Sequence, residues 1–296
     1  MKHFTYLCTN EDDGLEVRDI LRKRFDFSGR LRNKIKREKL MLHNGKDTEG
    51  WYKVKCGDEI SITLPDEESH FLPQAIPLDI IFEDEDLLIV NKSPGLIVHP
   101  TKGHPVGTVA NALSYRMEQT GDKWKIRFVN RLDMDTSGLL LVAKNSYCQN
   151  DITKQMKKNL IEKKYIAIVV GIIDDESGTI ELPIGRPDPD DVRRGVVPDG
   201  APSVTHYKVL ERFRKHTLVE LVLQTGRTHQ IRVHMSYIGH PVLGDHLYGG
   251  ENVMLIERQA LHAACLKFTH PMTGRKVEFE APLPDDMKTA ILKCRK

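Results

Sequence analysis

The first 64 residues open with a pattern that predicts two short amphipathic helices. Between residues 15 and 25, apolar side chains recur at helical spacing and basic side chains lie between them. Ser28 is a suitable N-cap for a second helix, in which Leu31 and Ile35 face inward. Both helices are therefore expected to present a basic outer face.

A small hairpin is predicted after these helices. Residues 40–43 have strand character, Asn44 and Gly45 are typical of a tight hairpin turn, and residues 59–64 alternate between polar and apolar. Two helices and a hairpin make a small α+β unit, to which we assign residues 1–64.

The rest of the chain predicts a larger α+β domain with a mixed, mainly antiparallel sheet. Residues 65–77 are polar and acidic and contain three prolines, which indicates a linker before a second domain over residues 78–296. Strands outnumber helices and do not alternate with them regularly, which disfavours a doubly wound parallel fold. The strand candidates are residues 87–90, 139–143, 165–170 and 217–223, and the helix candidates are residues 109–117 and 150–156.

Composition places the chain among ordinary globular proteins. Of its 296 residues, 40% are hydrophobic and 29% are charged, which excludes a disordered or fibrous chain. Apolar stretches such as residues 138–143 are far shorter than the roughly 20 residues of a membrane span, so no membrane partner is expected. The five cysteines are widely spaced and include no C-x-x-C pair, which favours free thiols in a reducing cytoplasm.

Positive charge is concentrated near the N-terminus. Residues 18–55 contain 13 Lys and Arg against five Asp and Glu, whereas residues 65–91 contain eight acidic residues and no Lys or Arg. This distribution indicates a polyanionic partner, most naturally nucleic acid, although a solvated helix face would show the same run. The candidate RNA contacts on the second helix are Arg30, Arg32, Lys34, Lys36 and Arg37.

A first polar cluster lies directly before the apolar run at residues 139–143. Arg131, Asp133 and Asp135 are followed there by Thr, Ser and Gly. These residue types fit a simple turn, and they fit equally a carboxylate presented beside a cation for nucleophilic or acid–base catalysis.

A second polar cluster, residues 223–234, follows another strand candidate. Arg227 and Arg232 are suited to pair with a carboxylate or a phosphate, and the alternative is a polar strand end. The histidines of this region lack metal-ligand spacing, so no metal site is expected. Neither a Walker motif nor G-x-G-x-x-G is present, so no nucleotide cofactor is expected.

Residues 14–64 resemble the alpha-L, or S4-like, RNA-binding module. The matching segments are R-x-x-L from Arg18, S-G-R-L-x-x-x-I from Ser28 and V-K-x-G-D-E-I-x-I from Val54. The resemblance implies that this unit binds structured RNA.

Residues 131–144, R-L-D-M-D-T-S-G-L-L-L-V-A-K, closely resemble the central motif of the RluA-type RNA pseudouridine synthases. The likeness continues in order through residues 89–100, 163–167, 225–234, 239–245 and 259–263. It implies an enzyme that isomerises uridine in RNA without any cofactor. Large-subunit ribosomal RNA is the implied target and transfer RNA is the alternative; we expect a monomer.

The same resemblance implies roles for individual residues. Asp133 would be the catalytic aspartate and would attack carbon 6 of the uracil or the anomeric carbon of its ribose. Tyr165 would stack on the base, and Arg227 would pair with Asp133 and keep it ionised. Ile231 would form part of an apolar wall, and Arg131 would hold the target nucleotide out of its stack.

One position departs from the family pattern, because Asn130 stands where the family usually has histidine. Asparagine forms hydrogen bonds but carries no charge, so activity survives if this position only supports structure or contacts RNA. With Asp133 intact we expect an active enzyme, in which Asn130 and Arg232 also bind RNA. Two alternatives stay open: an RNA-binding relative without catalysis, and a hydrolase that uses Asp135 as a second carboxylate.

Overall fold

The N-terminal unit has its own sheet and its own core. The structure is a computed structural model and describes residues 2–188, 190–250 and 254–296. Four antiparallel strands lie in the order β1-β4-β2-β3. The elements are β1 (His3–Leu7), a 3-10 helix (Asn10–Asp12), α1 (Val17–Lys23), α2 (Gly29–Arg37), β2 (Met41–His43), β3 (Lys46–Asp47) and β4 (Glu59–Thr63).

The two predicted helices and the hairpin are confirmed. The Ser28 hydroxyl caps α2 by accepting a hydrogen bond from the backbone N–H of Leu31 at 3.3 Å. Leu31 and Ile35 are buried, as predicted, in a core that α1 and β4 share. Asn44 and Gly45 both have positive φ, which is the backbone of the tight turn their sequence predicted.

The remaining residues build a ten-stranded sheet, and the α+β prediction is confirmed. The strand order is β10-β13-β14-β9-β15-β8-β6-β5, with β16 beside β15 and β7 beside β8. All these pairs are antiparallel except β15 with β8. The strands are β5 (Asp79–Glu83), β6 (Leu87–Lys92), β7 (Arg127–Phe128), β8 (Ser137–Ala143), β9 (Glu162–Val170), β10 (Ser177–Glu181), β13 (Val204–Arg212), β14 (His216–Leu223), β15 (Leu261–Thr269) and β16 (Lys276–Glu280). The helices are α3 (Val109–Thr120), α4 (Ser146–Lys157), α5 (Gln230–Tyr237) and α6 (Asp285–Cys294), and a separate pair is formed by β11 (Ile184–Gly185) and β12 (Gly195–Val196).

The central strands are apolar without alternation because both of their faces are covered. In β6, Leu88 and Val90 belong to one hydrophobic cluster, whereas Leu87 and Ile89 belong to a second cluster on the opposite face. All four side chains are fully buried. A strand that packs on both faces needs a continuous apolar run, which is the pattern seen at residues 87–90.

Residues 65–77 contain no helix or strand, but they are held against both units. The Glu67 carboxylate forms a close ion pair with Arg127 and lies 3.3 Å from the Lys34 ammonium of α2. The Ser69 hydroxyl accepts a hydrogen bond from the backbone N–H of Ile126 at 2.9 Å. This segment therefore fixes the position of α2 and is not a loose tether.

No helix within the described ranges is long and apolar enough to cross a membrane.

Candidate active site

A cleft of about 1060 Å³ is lined both by residues of α2 and by residues of the large sheet and its loops. Its lining includes Arg30 and Lys34 of α2 as well as Asp133 and Tyr165. The predicted catalytic loop and the predicted RNA-binding helix therefore line the same cleft. Other lining residues come from residues 97–101, 125–132 and 226–232 and from α4.

A buried lysine clamps the loop that carries Asp133. The Lys92 ammonium donates three hydrogen bonds, to the carbonyl oxygens of Ser93 and Leu96 at 2.9 Å and of Met134 at 2.7 Å. Burial lowers the pKa of Lys92 to about 7, and the charges of Asp135 and Asp133 oppose that shift. Because all three N–H groups are used, the loop backbone is pinned one residue after Asp133.

Gly138 lets the same loop enter the sheet at its centre. Its φ is +107°, and a Cβ built there would lie 2.2 Å from the carbonyl oxygen of Ala263. Ala263 pairs with Gly138 on one side and with Tyr165 on the other. Only glycine fits this close approach. The end of the loop and Tyr165 therefore lie on β8 and β9, the two strands that flank β15.

Asp133 is paired with Arg232, and the predicted pairing with Arg227 is wrong. Arg232 Nη1 lies 2.9 Å from Asp133 Oδ2, while its Nε and Nη2 donate to the two oxygens of Asp245 at 2.7 and 2.9 Å. Arg227 is exposed and its Nε donates to the carbonyl oxygen of Pro202 at 3.3 Å. Arg232 thus bridges two carboxylates.

The start of α5 explains why Asp133 pairs with Arg232 and not with Arg227, which lies five residues earlier. Residues 230–237 are a helix, not the polar strand end, and Arg232 lies in the first turn with its side chain buried. The Gln230 side chain holds the preceding loop by accepting from the backbone N–H of Arg227 at 3.0 Å. Arg227 therefore stays in the loop outside the buried pair.

Electrostatics hold Arg232 in its charged form. Burial by itself lowers the pKa of Arg232, but the hydrogen bonds and charges of Asp245 and Asp133 raise it overall. Asp245 is fully buried, whereas the Asp133 side chain is 26% exposed toward the cleft. The free side of the Asp133 carboxylate is thus the one that a bound molecule can reach.

Apolar side chains surround this carboxylate. Tyr165 and Ile231 are buried and line the cleft together with Leu132 and Leu261. Burial, and secondarily the charge of Asp133, raises the pKa of Tyr165, so its phenol stays protonated. Its hydroxyl has no hydrogen-bond partner within the part of the chain that the structure describes.

His229 also borders Asp133, although we considered it only as a metal ligand. Its Nε2 lies 3.9 Å from Asp133 Oδ2, and its Nδ1 lies 2.9 Å from the hydroxyl of Tyr248. Burial lowers the pKa of His229. The residue has a left-handed backbone at the N-cap of α5, a conformation that nothing in the sequence indicated.

The Asn130 side-chain amide supports the backbone of β8, and the residue also lines the cleft, so its predicted contact with RNA stays a prediction. Its Nδ2 donates to the carbonyl oxygen of Leu139 at 3.1 Å, and its Oδ1 accepts from the backbone N–H of Leu141 at 2.8 Å. The side chain thus bonds β8 as a neighbouring strand would. Arg131, the next residue, is exposed, lines the cleft and donates to the Thr228 hydroxyl at 3.2 Å.

Asn130→Ala is expected to destabilise the protein, because it leaves the carbonyl of Leu139 and the N–H of Leu141 unpaired. We expect a loss of about 2 kcal/mol in the free energy of unfolding, measured by urea denaturation. Asn130→His restores one of the two bonds and is expected to keep turnover within about threefold of native. That change corresponds to about 0.7 kcal/mol in the activation free energy. A tenfold gain in turnover for Asn130→His would instead mean that a cationic residue is needed here.

The basic residues of α2 divide into two groups. Arg30 and Lys34 line the cleft, whereas Arg32, Lys36 and Arg37 do not. Lys36 and Arg37 are exposed on the helix. The geometry therefore extends a cationic surface from the cleft along α2.

Two chemical alternatives lose support. Asp135, the second carboxylate of a hydrolase, is not among the residues that line the cleft. Within the described residues, the one group spaced to hold a metal is Cys265, Glu278 and Glu280, and none of the three lines the cleft. The cleft is lined by two carboxylates: Glu67, which is paired with Arg127 and Lys34, and Asp133, which is paired with Arg232 and shares the cleft with the Tyr165 ring. That arrangement suits a nucleophile that attacks a flat, uncharged ring system.

Comparison with known proteins agrees with this chemistry. The RNA pseudouridylate synthase family profile matches residues 86–237, which include Asp133, Tyr165 and Arg232. An uncharacterized RNA pseudouridine synthase of Bacillus subtilis, YlyB, is 46% identical over 86% of this chain and 85% of its own length. The ribosomal large subunit pseudouridine synthase D of Escherichia coli K12 is 42% identical over 81% of this chain and 77% of its own length.

Solved structures show the same fold. Human RNA pseudouridylate synthase domain containing 1 is 31% identical, with a TM-score of 0.58 over 71% of this chain and 84% of its own. Human RNA pseudouridylate synthase domain containing 4 is 24% identical, with a TM-score of 0.61 over 73% of this chain and 93% of its own. The chain belongs to the RNA pseudouridylate synthase family.

Proposed function

We propose that this protein isomerises uridine to pseudouridine in large-subunit ribosomal RNA, with Asp133 as the catalytic carboxylate. The observation that carries the proposal is the Asp133–Arg232 pair, 2.9 Å apart in a cleft that Tyr165 and Ile231 also line. The ribosomal target is supported by the relatives named ribosomal large subunit pseudouridine synthase D, from Escherichia coli and from Vibrio parahaemolyticus.

The reaction rearranges bonds without adding atoms. The Asp133 carboxylate attacks carbon 6 of the uracil or the anomeric carbon of the ribose, and the bond between nitrogen 1 and the ribose breaks. The uracil turns within the cleft, carbon 5 joins the ribose, and the bond to Asp133 breaks, which frees the carboxylate. The proton of carbon 5 leaves to water and nitrogen 1 takes up a proton from water, so no atom is gained or lost. Arg232 favours the ionised carboxylate that this attack requires, and the ring of Tyr165 stacks on the base.

The N-terminal unit contributes the RNA affinity that the reaction needs. A base must leave its stack to reach Asp133, at a cost of perhaps a few kcal/mol. Phosphate contacts from α2, which lines the same cleft as Asp133, offset that cost. In this proposal residues 1–64 are an S4-like RNA-binding domain, residues 65–77 connect it, and residues 78–296 are the catalytic domain of a cytoplasmic monomer.

Tritium release tests the activity directly. Large-subunit ribosomal RNA is transcribed with 5-tritiated uridine and incubated with the protein, because joining carbon 5 to the ribose expels its tritium into water. Release from this RNA supports the proposal, and the modified uridines are then mapped. Release only from transfer RNA would overturn the ribosomal target. No release from either RNA would favour the alternative of an RNA-binding protein without catalysis.

Removing charge from α2 is expected to weaken RNA binding in a salt-dependent way. Lys36→Gln combined with Arg37→Gln removes two exposed cations, so the slope of log affinity against log salt should fall by about 1.4 to 1.8. Filter binding to the ribosomal RNA transcript over a salt series measures the slope. Lys276→Gln, at an exposed position of β16, is the matched control. Equal slopes for the double variant and the native protein would contradict the role given to α2.

A further inference from the structure

Lys163 is a cation in the cleft with no acidic partner among the described residues. It lies on β9 two positions before Tyr165, so both side chains point to the same face of the strand, and both line the cleft. The neighbouring Lys164 points the other way and contacts Glu162 and Glu220 at 3.5 and 3.7 Å. Burial lowers the pKa of Lys163, and no opposing charge raises it.

An unpaired, half-buried ammonium costs free energy in the free protein. Other cations of the cleft have that cost offset by carboxylates: Arg232 has Asp133 and Asp245, Arg127 has Glu67, and Lys34 has Glu67 and Glu38. Lys163 has no such compensation. The position is thus one where a bound anion would supply the missing counter-charge.

Two further cations lie around the same point. The Lys163 ammonium would be 3.7 Å from a Cβ placed on Gly226, so it lies beside the loop that carries Arg227. Arg227 is exposed and contacts only the carbonyl of Pro202 through its Nε. Arg131 reaches the same loop through its bond to the Thr228 hydroxyl. None of the three contacts a carboxylate within the residues that the structure describes.

We propose that Lys163 and Arg227, with Arg131 at the rim, bind the RNA phosphate next to the target uridine. The proposal rests on the proposed function for the identity of the ligand as RNA. The three cations surround the loop before α5, while Asp133 and Tyr165 occupy the adjoining part of the same cleft. A phosphodiester held there fixes the ribose of the flipped nucleotide relative to Asp133, and it pairs the ammonium of Lys163.

Lys163→Met separates this role from a structural one. Methionine keeps the length of the side chain and removes the half-buried charge, so the urea midpoint should be unchanged or higher than that of the native protein. RNA affinity should fall about tenfold, and the salt slope by about 0.7, the value for one phosphate of a single strand. In steady-state tritium release the loss should appear in KM with kcat nearly unchanged, because the contact persists in the transition state.

The matched control is Lys164→Met, which removes a cation from the opposite face of the same strand. It should leave the salt slope unchanged. The proposal is overturned if Lys163→Met binds with native affinity and slope, or if both variants lose affinity equally.

Replacing a single phosphate of the RNA by an uncharged group tests whether Lys163 contacts that phosphate. A short ribosomal RNA fragment that contains the mapped uridine is made with a methylphosphonate beside that uridine. Native protein should lose at least about tenfold in affinity for it. Lys163→Met should lose less than the native protein does, because its Lys163 contact is already gone while Arg227 and Arg131 still contact the phosphate. Full additivity of the two losses would overturn the proposal. Filter binding needs no turnover, so the two proposals can fail separately. If the native protein binds RNA through Lys163 but releases no tritium, the enzyme activity is refuted and the phosphate site still holds.

Discussion

Asp133→Asn is expected to abolish tritium release from ribosomal RNA, with a loss of about 10⁴-fold or more in turnover. The amide has nearly the size of the carboxylate, and its oxygen can still accept the 2.9 Å hydrogen bond from Arg232 Nη1. What disappears is the negative charge that makes the oxygen a nucleophile. The fold should therefore persist while the chemistry stops, which tritium release and urea denaturation measure separately.

Asp135→Asn provides the comparison for this variant. Asp135 contributes its backbone carbonyl to Arg258 at 2.9 Å, which the substitution leaves in place, and its side chain does not line the cleft. Most of the activity should survive. Comparable losses for the two variants would point to a pair of carboxylates, as in a hydrolase, and free uracil among the products would establish that alternative. Native turnover by Asp133→Asn would remove Asp133 from the mechanism.

Much of the fold could be predicted because it follows from local rules. The Ser28 cap, the Asn44–Gly45 turn and the inward residues of α2 each depend on a few neighbours in sequence. The continuous apolar run at residues 87–90 predicted a strand, but it could not show that each face of that strand packs in a different cluster. That property depends on helices distant in sequence.

The site was harder to predict because its contacts are long-range. The motif around Asp133 indicated a catalytic carboxylate, but two arginines lay within one polar cluster and only the start of α5 decides between them. Two of the carbonyls that bind Lys92 belong to the loop that directly follows it, but the third, that of Met134, is 42 positions away, so the sequence alone shows Lys92 as an ordinary surface charge. The polar side chain of Asn130 is compatible with RNA binding, which is what the sequence predicted. In the structure that side chain forms the two hydrogen bonds to β8 that a neighbouring strand would form.

Arg232→Met is expected to impair both activity and stability, because Arg232 bonds two carboxylates at once. Asp245 is fully buried and accepts two hydrogen bonds from Arg232, so the substitution leaves a buried negative charge without its partner. We expect a loss of about 3 to 5 kcal/mol in the free energy of unfolding. Turnover should fall at least about 100-fold, since Asp133 loses the donor that orients and stabilises its charge.

A second substitution separates these two effects. In Arg232→Met combined with Asp245→Asn, the buried charge is removed, while the amide oxygen still accepts the backbone N–H groups of Leu247 and Tyr248. Part of the lost stability should return, as urea denaturation would show, but turnover should stay low because Asp133 remains without its cation. Recovery of both would mean that Arg232 acts only by neutralising Asp245. Recovery of neither would mean that its packing against the Tyr248 ring, 5.0 Å away, dominates. The predicted split between stability and turnover follows only if one guanidinium both neutralises the core carboxylate and aims the reacting one.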